Sequence, residues 1–83
     1  MSPIPFVTDA LYRGDFRIYL RFDDGLAKTV DFRPMLRGPI FEPLLDPRVF
    51  QVFTIDGGTV AWPNGADIAP ETLHAAPGVD PGS

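Results

Sequence analysis

The high content of proline and glycine limits the secondary structure that this chain can form: its 83 residues include ten prolines and eight glycines. Proline lacks a backbone N–H group and glycine is conformationally loose, so the sequence does not favour long uninterrupted helices. Between Pro34 and Pro47, prolines recur every four or five residues. We therefore expect the segment 33–45 to contain only short helical turns.

The residue types that most catalytic and metal sites need are scarce. The chain has no cysteine, one histidine (His74), and serines only near its two ends, at Ser2 and Ser83. A disulfide framework, a thiolate metal site and a Ser-His-Asp triad are therefore not expected. We expect no catalytic residue, no metal ion and no cofactor.

The sequence shows neither a membrane span nor a signal peptide. Its apolar runs are too short to cross a bilayer. Residues 1–5 lack the basic and apolar regions of a signal peptide. These features predict a cytoplasmic protein that makes no membrane contact.

Residues 16–22 alternate between apolar and polar side chains, which is the pattern of a half-buried strand. The turn 23–25 follows, and two loop lengths are compatible with it. A two-residue loop would place Arg21 opposite Lys28, which are like charges. A three-residue loop pairs Ile18 with Val30 and satisfies both faces of the hairpin. We therefore predict the three-residue loop.

The same register has two further consequences. It requires Gly25 to adopt the left-handed conformation that glycine tolerates. It also sets Arg17 opposite Asp31 on the other face of the hairpin, where opposite charges stabilise a strand pair.

Turn residues and apolar runs indicate further elements. A strand over 6–12 is reversed at 13–15, and a second hairpin of 53–55 and 59–62 surrounds Gly57-Gly58. A helix over 47–51 is capped by Asp46, and after a turn at Asn64-Gly65 a last helical turn over 70–73 is capped by Asp67. In the second hairpin a two-residue loop matches Ile55 with Val60. Together the elements predict an α+β fold: a small antiparallel sheet of four to five strands in two hairpins, with one or more short helices packed on it. We assign residues 1–74 to this single domain and residues 75–83 to a disordered tail.

Several strings of residues follow one another in a recognisable order. They are Phe22-Asp23-Asp24-Gly25, Val30-Asp31-Phe32, Gly38-Pro39-Ile40-Phe41-Glu42-Pro43-Leu44, Asp46-Pro47 with Phe50, and Val60-Ala61-Trp62-Pro63-Asn64-Gly65-Ala66-Asp67-Ile68 with Leu73. From about Phe6 to His74 the chain thereby resembles the domain-of-unknown-function 2442 family.

The resemblance implies a small α+β domain of bacteria and phages whose biochemical activity is not established. Some relatives carry a helix-turn-helix after this domain, and many are encoded beside another short protein in a toxin–antitoxin-like pairing. The residues after Leu73 do not have the pattern of a helix-turn-helix. We therefore do not expect the DNA-binding role of those relatives here.

Two surfaces are candidates for binding. Arg17, Tyr19 and Arg21 lie two residues apart on one strand and share a face, so two guanidinium groups flank an aromatic ring. Such a row can hold a carboxylate, a phosphate or an acidic protein segment. The alternative is a solvated sheet face, with Arg17 paired to Asp31 and Tyr19 beside Thr29.

The second candidate surface lies in the acidic second half of the chain. Residues 38–83 hold six acidic residues and Arg48 as the only basic one. The candidate interaction residues there are Glu42, Asp46, Trp62, Asn64, Asp67 and Glu71. Trp62 is either an interface anchor or a core residue packed against Phe53.

These features predict a cytoplasmic, non-catalytic protein-interaction module, the accessory or antitoxin-like member of a two-protein pair, with a small protein as its partner and a homodimer as a further possibility. The net charge of −4 argues against binding nucleic acid through phosphate neutralisation. The alternative is a nucleic-acid-associated transcriptional regulator that uses Arg17, Tyr19 and Arg21.

Overall fold

The computed structural model describes residues 5–79, and residues 1–4 and 80–83 of the predicted domain and tail lie outside this part. Three antiparallel strands, β1 (Val7–Gly14), β2 (Arg17–Phe22) and β3 (Ala27–Asp31), form a sheet in the order β1-β2-β3. Strands β4 (Thr54–Asp56) and β5 (Thr59–Ala61) form a two-stranded sheet. Two 3₁₀ turns (Arg33–Met35 and Glu42–Leu45) and two short helices, α1 (Pro47–Phe50) and α2 (Pro70–Ala75), complete the α+β architecture.

The predicted three-residue loop between β2 and β3 is confirmed. Ile18 pairs with Val30 and Arg17 lies opposite Asp31. Gly25 has a φ of 93°, the left-handed conformation that the loop requires. The alternation of apolar and polar residues therefore set the register of this hairpin, because a shift by one residue would expose its apolar face.

The turn between β1 and β2 differs from the expected reversal at 13–15. It is formed by Asp15 and Phe16, whose φ angles are 54° and 62°, so Phe16 lies in the turn rather than in the strand. A left-handed phenylalanine is unfavourable in isolation. Its ring is buried against Phe50, with the ring centroids 5.2 Å apart, and this packing compensates for the backbone conformation.

The hydrophobic core lies between the inner face of the three-stranded sheet and the short elements of the second half. Trp62 lies inside this core and is 4% exposed, so the core interpretation of Trp62 is confirmed. Aromatic rings at Tyr12, Phe16, Phe32 and Trp62 surround Phe50. The buried apolar residues are Val7, Phe16, Ile18, Leu20, Phe22, Val30, Phe32, Leu36, Leu44, Phe50, Val60, Trp62, Ala66, Ile68 and Leu73.

The second hairpin has the predicted register, with Ile55 opposite Val60. Its turn is Gly57-Gly58, and both glycines have positive φ. The turn at Asn64-Gly65 is also confirmed, because Gly65 N donates to Trp62 O at 3.0 Å.

One of the two predicted helix caps is correct. Asp46 caps α1 and accepts a hydrogen bond from Arg48 N at 3.0 Å. The cap predicted at Asp67 is wrong, because α2 begins after Ala69 and has no side-chain cap. Asp67 instead forms an antiparallel bridge with Ala61, which places it too far from the helix start to cap it.

The end of the described chain packs along β3. Lys28 Nζ donates to His74 O and to Ala76 O, both at 2.5 Å, and Val79 N donates to Thr29 O at 2.7 Å. The boundary between a domain ending at residue 74 and a disordered tail over 75–83 remains a prediction. None of the helices formed by the described residues is long and apolar enough to cross a membrane.

Candidate interaction surface

The side of the three-stranded sheet that faces away from the core is called here the outer face. Strand register places nine side chains on it: Asp9, Leu11, Arg13, Arg17, Tyr19, Arg21, Ala27, Thr29 and Asp31. The alternate positions of β2 (Ile18, Leu20 and Phe22) are buried in the core. The prediction that Arg17, Tyr19 and Arg21 share a face is therefore confirmed.

Tyr19 lies at the centre of the outer face, between Leu11 on β1 and Thr29 on β3. Arg13 lies over its ring, with Cζ 5.6 Å from the ring centroid, which is a cation–π geometry. Leu11 is 56% exposed. The outer face therefore combines an exposed aliphatic side chain, an aromatic ring and a stacked guanidinium group.

The expected ion pair between Arg17 and Asp31 is wrong, although the two residues lie opposite each other. Arg17 Nη2 is 3.2 Å from Asp15 Oδ2, in the turn that precedes β2. Asp31 Oδ1 accepts a hydrogen bond from Arg33 N at 3.0 Å, because β3 ends there and the first 3₁₀ turn begins. Arg17 and Asp31 therefore each bind a residue two positions away in the sequence instead of each other.

A polar cleft of about 400 Å³ opens where β2 begins and β3 ends. Its lining comprises Asp15, Arg17, Asp31, Arg33 and Val79, and it is called here the arginine cleft. The guanidinium Cζ of Arg33 lies 5.0 Å from the centroid of the Phe16 ring. The cleft therefore brings two guanidinium groups to one end of the outer face.

Sequence reasoning did not identify Arg13 or Arg33 as site residues. Arg13 has a sequence signal, because it follows Leu11 by two residues and therefore shares its face of β1. Its position over the Tyr19 ring depends on the irregular pairing at the end of β1, which the sequence does not indicate. Arg33 has no such signal, because its position depends on the 3₁₀ turn and on Phe16, which are distant in sequence.

The acidic residues of the second half are spread over several elements. Glu42 begins the second 3₁₀ turn and Glu71 lies in the first turn of α2. The Arg48 backbone N–H lowers the pKa of Asp46, followed by the Arg48 side chain, so this carboxylate serves the helix cap. A common acidic docking face remains a prediction.

Trp62 and Asn64 have structural roles in the fold. Trp62 Nε1 donates to Phe50 O at 2.7 Å, inside the core. Asn64 Nδ2 donates to Ile40 O at 2.9 Å, and Asn64 Oδ1 accepts from Ala66 N at 3.0 Å. The Asn64 bonds tie the turn to the proline-rich segment. A role of the exposed Asn64 in binding a partner stays a prediction.

The imidazole ring of His74 contacts an aspartate and a phenylalanine. His74 Nε2 lies 2.8 Å from Asp24 Oδ2, and the imidazole ring packs edge-on against Phe22 at 5.0 Å between centroids. In residues 5–79, no three histidine, aspartate or glutamate residues lie together as a metal-ligand group. The arrangement of the outer face supports binding through guanidinium groups and an aromatic ring.

Comparison with known proteins places the chain in a family. A family model described as "Protein of unknown function (DUF2442)" matches residues 7–76, which include every strand and helix of the structure. No curated protein and no solved structure matches the chain. On the strength of the family match, which covers most of its length, the chain belongs to the DUF2442 family.

Proposed function

We propose that the protein is a cytoplasmic, non-catalytic protein-interaction module whose outer face binds an acidic segment of a small partner protein. In this proposal it is the accessory or antitoxin-like member of a two-protein pair, as the pairing of many family members implies. A homodimer remains a further possibility.

The residue types on the outer face are the main support for this proposal. Tyr19 is half-buried beneath Arg13, and Leu11 beside it is 56% exposed. Aromatic residues and arginine are the types enriched at protein interfaces. An apolar side chain of a partner can pack on Leu11 and Tyr19 while its carboxylates pair with the surrounding guanidinium groups.

The mixed charge of the surface favours a protein over a nucleic acid. The outer face and the arginine cleft together carry four arginines and three aspartates, namely Arg13, Arg17, Arg21, Arg33, Asp9, Asp15 and Asp31. Binding to a phosphate backbone requires a strongly positive surface, and the chain as a whole has a net charge of −4. Interspersed charges of both signs instead suit a specific protein partner, whose own charges must match in position.

The structural roles of the titratable residues support a binding function rather than catalysis. His74 is held by Asp24, while Asp46 and Asp31 accept backbone hydrogen bonds at the starts of helical turns. General acid–base catalysis needs such groups to converge on a common pocket. Here each one stabilises a local element of the fold.

The proposal is tested by affinity capture with charge-reversed variants. The tagged chain is expressed in cells that contain it naturally, and the proteins that it retains are identified and then co-purified. Reversing Arg13 and Arg21 to glutamate should abolish retention of the partner, because both side chains are exposed on the outer face. The control reverses Glu42 and Glu71 to lysine and should retain it.

The opposite pattern would place the docking site on the acidic second half and contradict the outer-face proposal. A gel-shift series against salt tests the alternative of a transcriptional regulator. Binding of the purified chain to DNA or RNA that weakens steeply as salt rises would support the regulator and contradict the protein-interaction module.

A further inference from the structure

The outer edge of β3 is occupied by a short piece of the chain's own end. β3 is the last strand in the sheet order. Val79 forms an antiparallel bridge to Thr29, in which Val79 N donates to Thr29 O at 2.7 Å. A bridge of one residue covers little of an edge strand. Most of the backbone N–H and C=O groups along this edge are therefore left for another strand to bind.

The register identifies the backbone groups that face this edge. Phe22 N donates to Leu26 O across the β2–β3 loop at 2.8 Å. In an antiparallel pair, successive residues turn their N–H and C=O groups alternately toward and away from the neighbouring strand. After Leu26, the residues whose groups point to the outer edge are therefore Ala27, Thr29 and Asp31.

Two cavities flank the edge, one on each face of the sheet. The arginine cleft lies on the outer face. On the core side, an apolar slot of about 320 Å³ lies between β3, the first 3₁₀ turn and the chain end, with Val30, Met35 and Pro77 in its lining. Val79 and Asp31 line both cavities and separate them.

We propose that the outer edge of β3 accepts an extended segment of a partner protein by strand addition, and that residues 77–79 are a displaceable occupant of this position. Side chains of an added strand point alternately to its two faces. The residue opposite Thr29 shares its face and enters the arginine cleft, whereas its two neighbours enter the apolar slot. The edge therefore selects a sequence that alternates apolar and acidic residues, with an acidic residue opposite Thr29.

Two observations support this recognition pattern. Thr29 Oγ1 is buried on the face of the arginine cleft and has no hydrogen-bond partner in the described part of the chain, so the carboxylate of an acidic residue opposite Thr29 would accept its hydrogen bond. The chain's own end lacks such an acceptor, because it places Val79 opposite Thr29, and this mismatch fits a displaceable occupant.

The inference goes beyond the proposed function, because it concerns the edge of β3 and not the exposed outer face. The two surfaces have separate marker residues. Arg33 lines the arginine cleft, whereas Arg21 lies at the far end of β2, opposite Ala27. Their variants distinguish edge binding from face binding.

The test is an NMR titration of the full chain, labelled with ¹⁵N, with the peptide acetyl-Thr-Val-Asp-Val-Asp-Val-Thr-amide. Saturable shifts are expected at the amides of Ala27, Thr29 and Asp31. Val79→Pro removes the N–H donor to Thr29 O and should tighten binding about tenfold, because the tail no longer competes. Val79→Ile keeps the donor and should bind like the wild type.

Substitution of Arg33 tests whether the arginine cleft contributes to the specificity of peptide binding. Arg33→Gln should weaken binding by about threefold or more, because it removes a guanidinium group from the cleft. Arg21→Gln should have no effect. If the Val79→Pro chain does not fold, the wild-type titration still decides, since peptide saturation should move the Val79 amide signal as its bond to Thr29 is replaced.

Three outcomes would overturn the inference. One is the absence of saturable shifts at the β3 amides. Another is equal binding of a peptide N-methylated at both aspartates, since that peptide keeps its side chains but cannot form the strand ladder. The third is loss of binding with Arg21→Gln and not with Arg33→Gln, which would place the peptide on the outer face and leave the proposed function standing.

Discussion

The indole Nε1 of Trp62 donates a hydrogen bond to the backbone oxygen of Phe50 at 2.7 Å, and both side chains are buried. The bond joins β5's end to the end of α1 through the centre of the aromatic core. A tryptophan suits the position after β5 better than a purely apolar residue does. Its indole ring fills core volume, and its N–H group satisfies a buried carbonyl.

Trp62→Phe should therefore lower the free energy of unfolding by about 2–4 kcal/mol, through the lost ring volume and the unpaired Phe50 carbonyl. Urea unfolding followed by circular dichroism measures the loss. Val52→Ala is the control, since Val52 is 50% exposed and should change stability by no more than about 0.5 kcal/mol. Equal stability of Trp62→Phe and the wild type would contradict this description of the core.

The two glycines of the second hairpin should respond differently to alanine. A Cβ on Gly58 would lie 2.5 Å from Phe6 Cδ1, whereas a Cβ on Gly57 would meet nothing within 4 Å. Both have positive φ, so Gly57→Ala should cost about 1–2 kcal/mol of backbone strain, and Gly58→Ala about 2–4 kcal/mol.

A Phe6→Ala background provides the check on the cause of this difference. Without the Phe6 ring, the two alanine variants should lose similar stability in thermal or urea unfolding. A difference that persists in this background would show that the close approach of Phe6 is not its cause.

Lys28 should matter to stability although its side chain is charged. Its Nζ donates to the carbonyl groups of His74 and Ala76 at the end of α2, and burial lowers the pKa of its amine. Lys28→Ala leaves both carbonyls without this donor and should destabilise the fold by about 1–3 kcal/mol. Arg21→Ala, an exposed cation on the same hairpin, should cost no more than about 0.5 kcal/mol. Equal effects of the two substitutions would contradict a capping role for Lys28.

Acid should weaken the fold through Asp24. The Leu26 backbone N–H and then the His74 side chain lower the pKa of Asp24 from its usual value. A carboxyl group with a lower pKa in the folded state stabilises the fold above its unfolded pKa, which is about 3.9, and this contribution disappears as the pH falls through the folded value. Urea midpoints measured from pH 7 to about pH 2 should fall less steeply for Asp24→Asn than for the wild type.

Asp46 also has a lowered pKa, because of the Arg48 N–H, so it contributes separately to acid sensitivity. Asp46→Asn provides the comparison and should remove only its own part. An acid profile of Asp24→Asn identical to that of the wild type would contradict a stabilising effect of the lowered Asp24 pKa, whether from the Leu26 N–H or from His74.

The hairpin registers could be predicted from sequence because each depends on local patterning. In the β2–β3 hairpin, only the three-residue loop buries Ile18 with Val30 and leaves Arg17 on the other face. The cap at Asp46 is similarly local, since the acceptor and Pro47 are adjacent.

The remaining features depend on contacts between residues distant in sequence. Phe16 adopts a left-handed turn conformation because its ring packs against Phe50, which no local propensity indicates. Asp67 does not cap α2, because its backbone bridges to Ala61. The arginine cleft arises only when Arg33 and Val79 meet Arg17, and the proline-rich and small residues between them carry no periodic signal.

The most direct measurement of the proposed function is site-specific photo-crosslinking in cells that contain the protein naturally. A benzophenone amino acid replaces Leu11 on the outer face, or Val52 as the control, since these residues have similar exposures of 56% and 50%. We expect a protein adduct from position 11 that disappears when Arg13 and Arg21 are reversed to glutamate, and no such adduct from position 52. Equal adducts from both positions, an adduct unaffected by the charge reversal, or crosslinking of position 11 to nucleic acid alone would contradict the assignment of the outer face as a protein-binding surface.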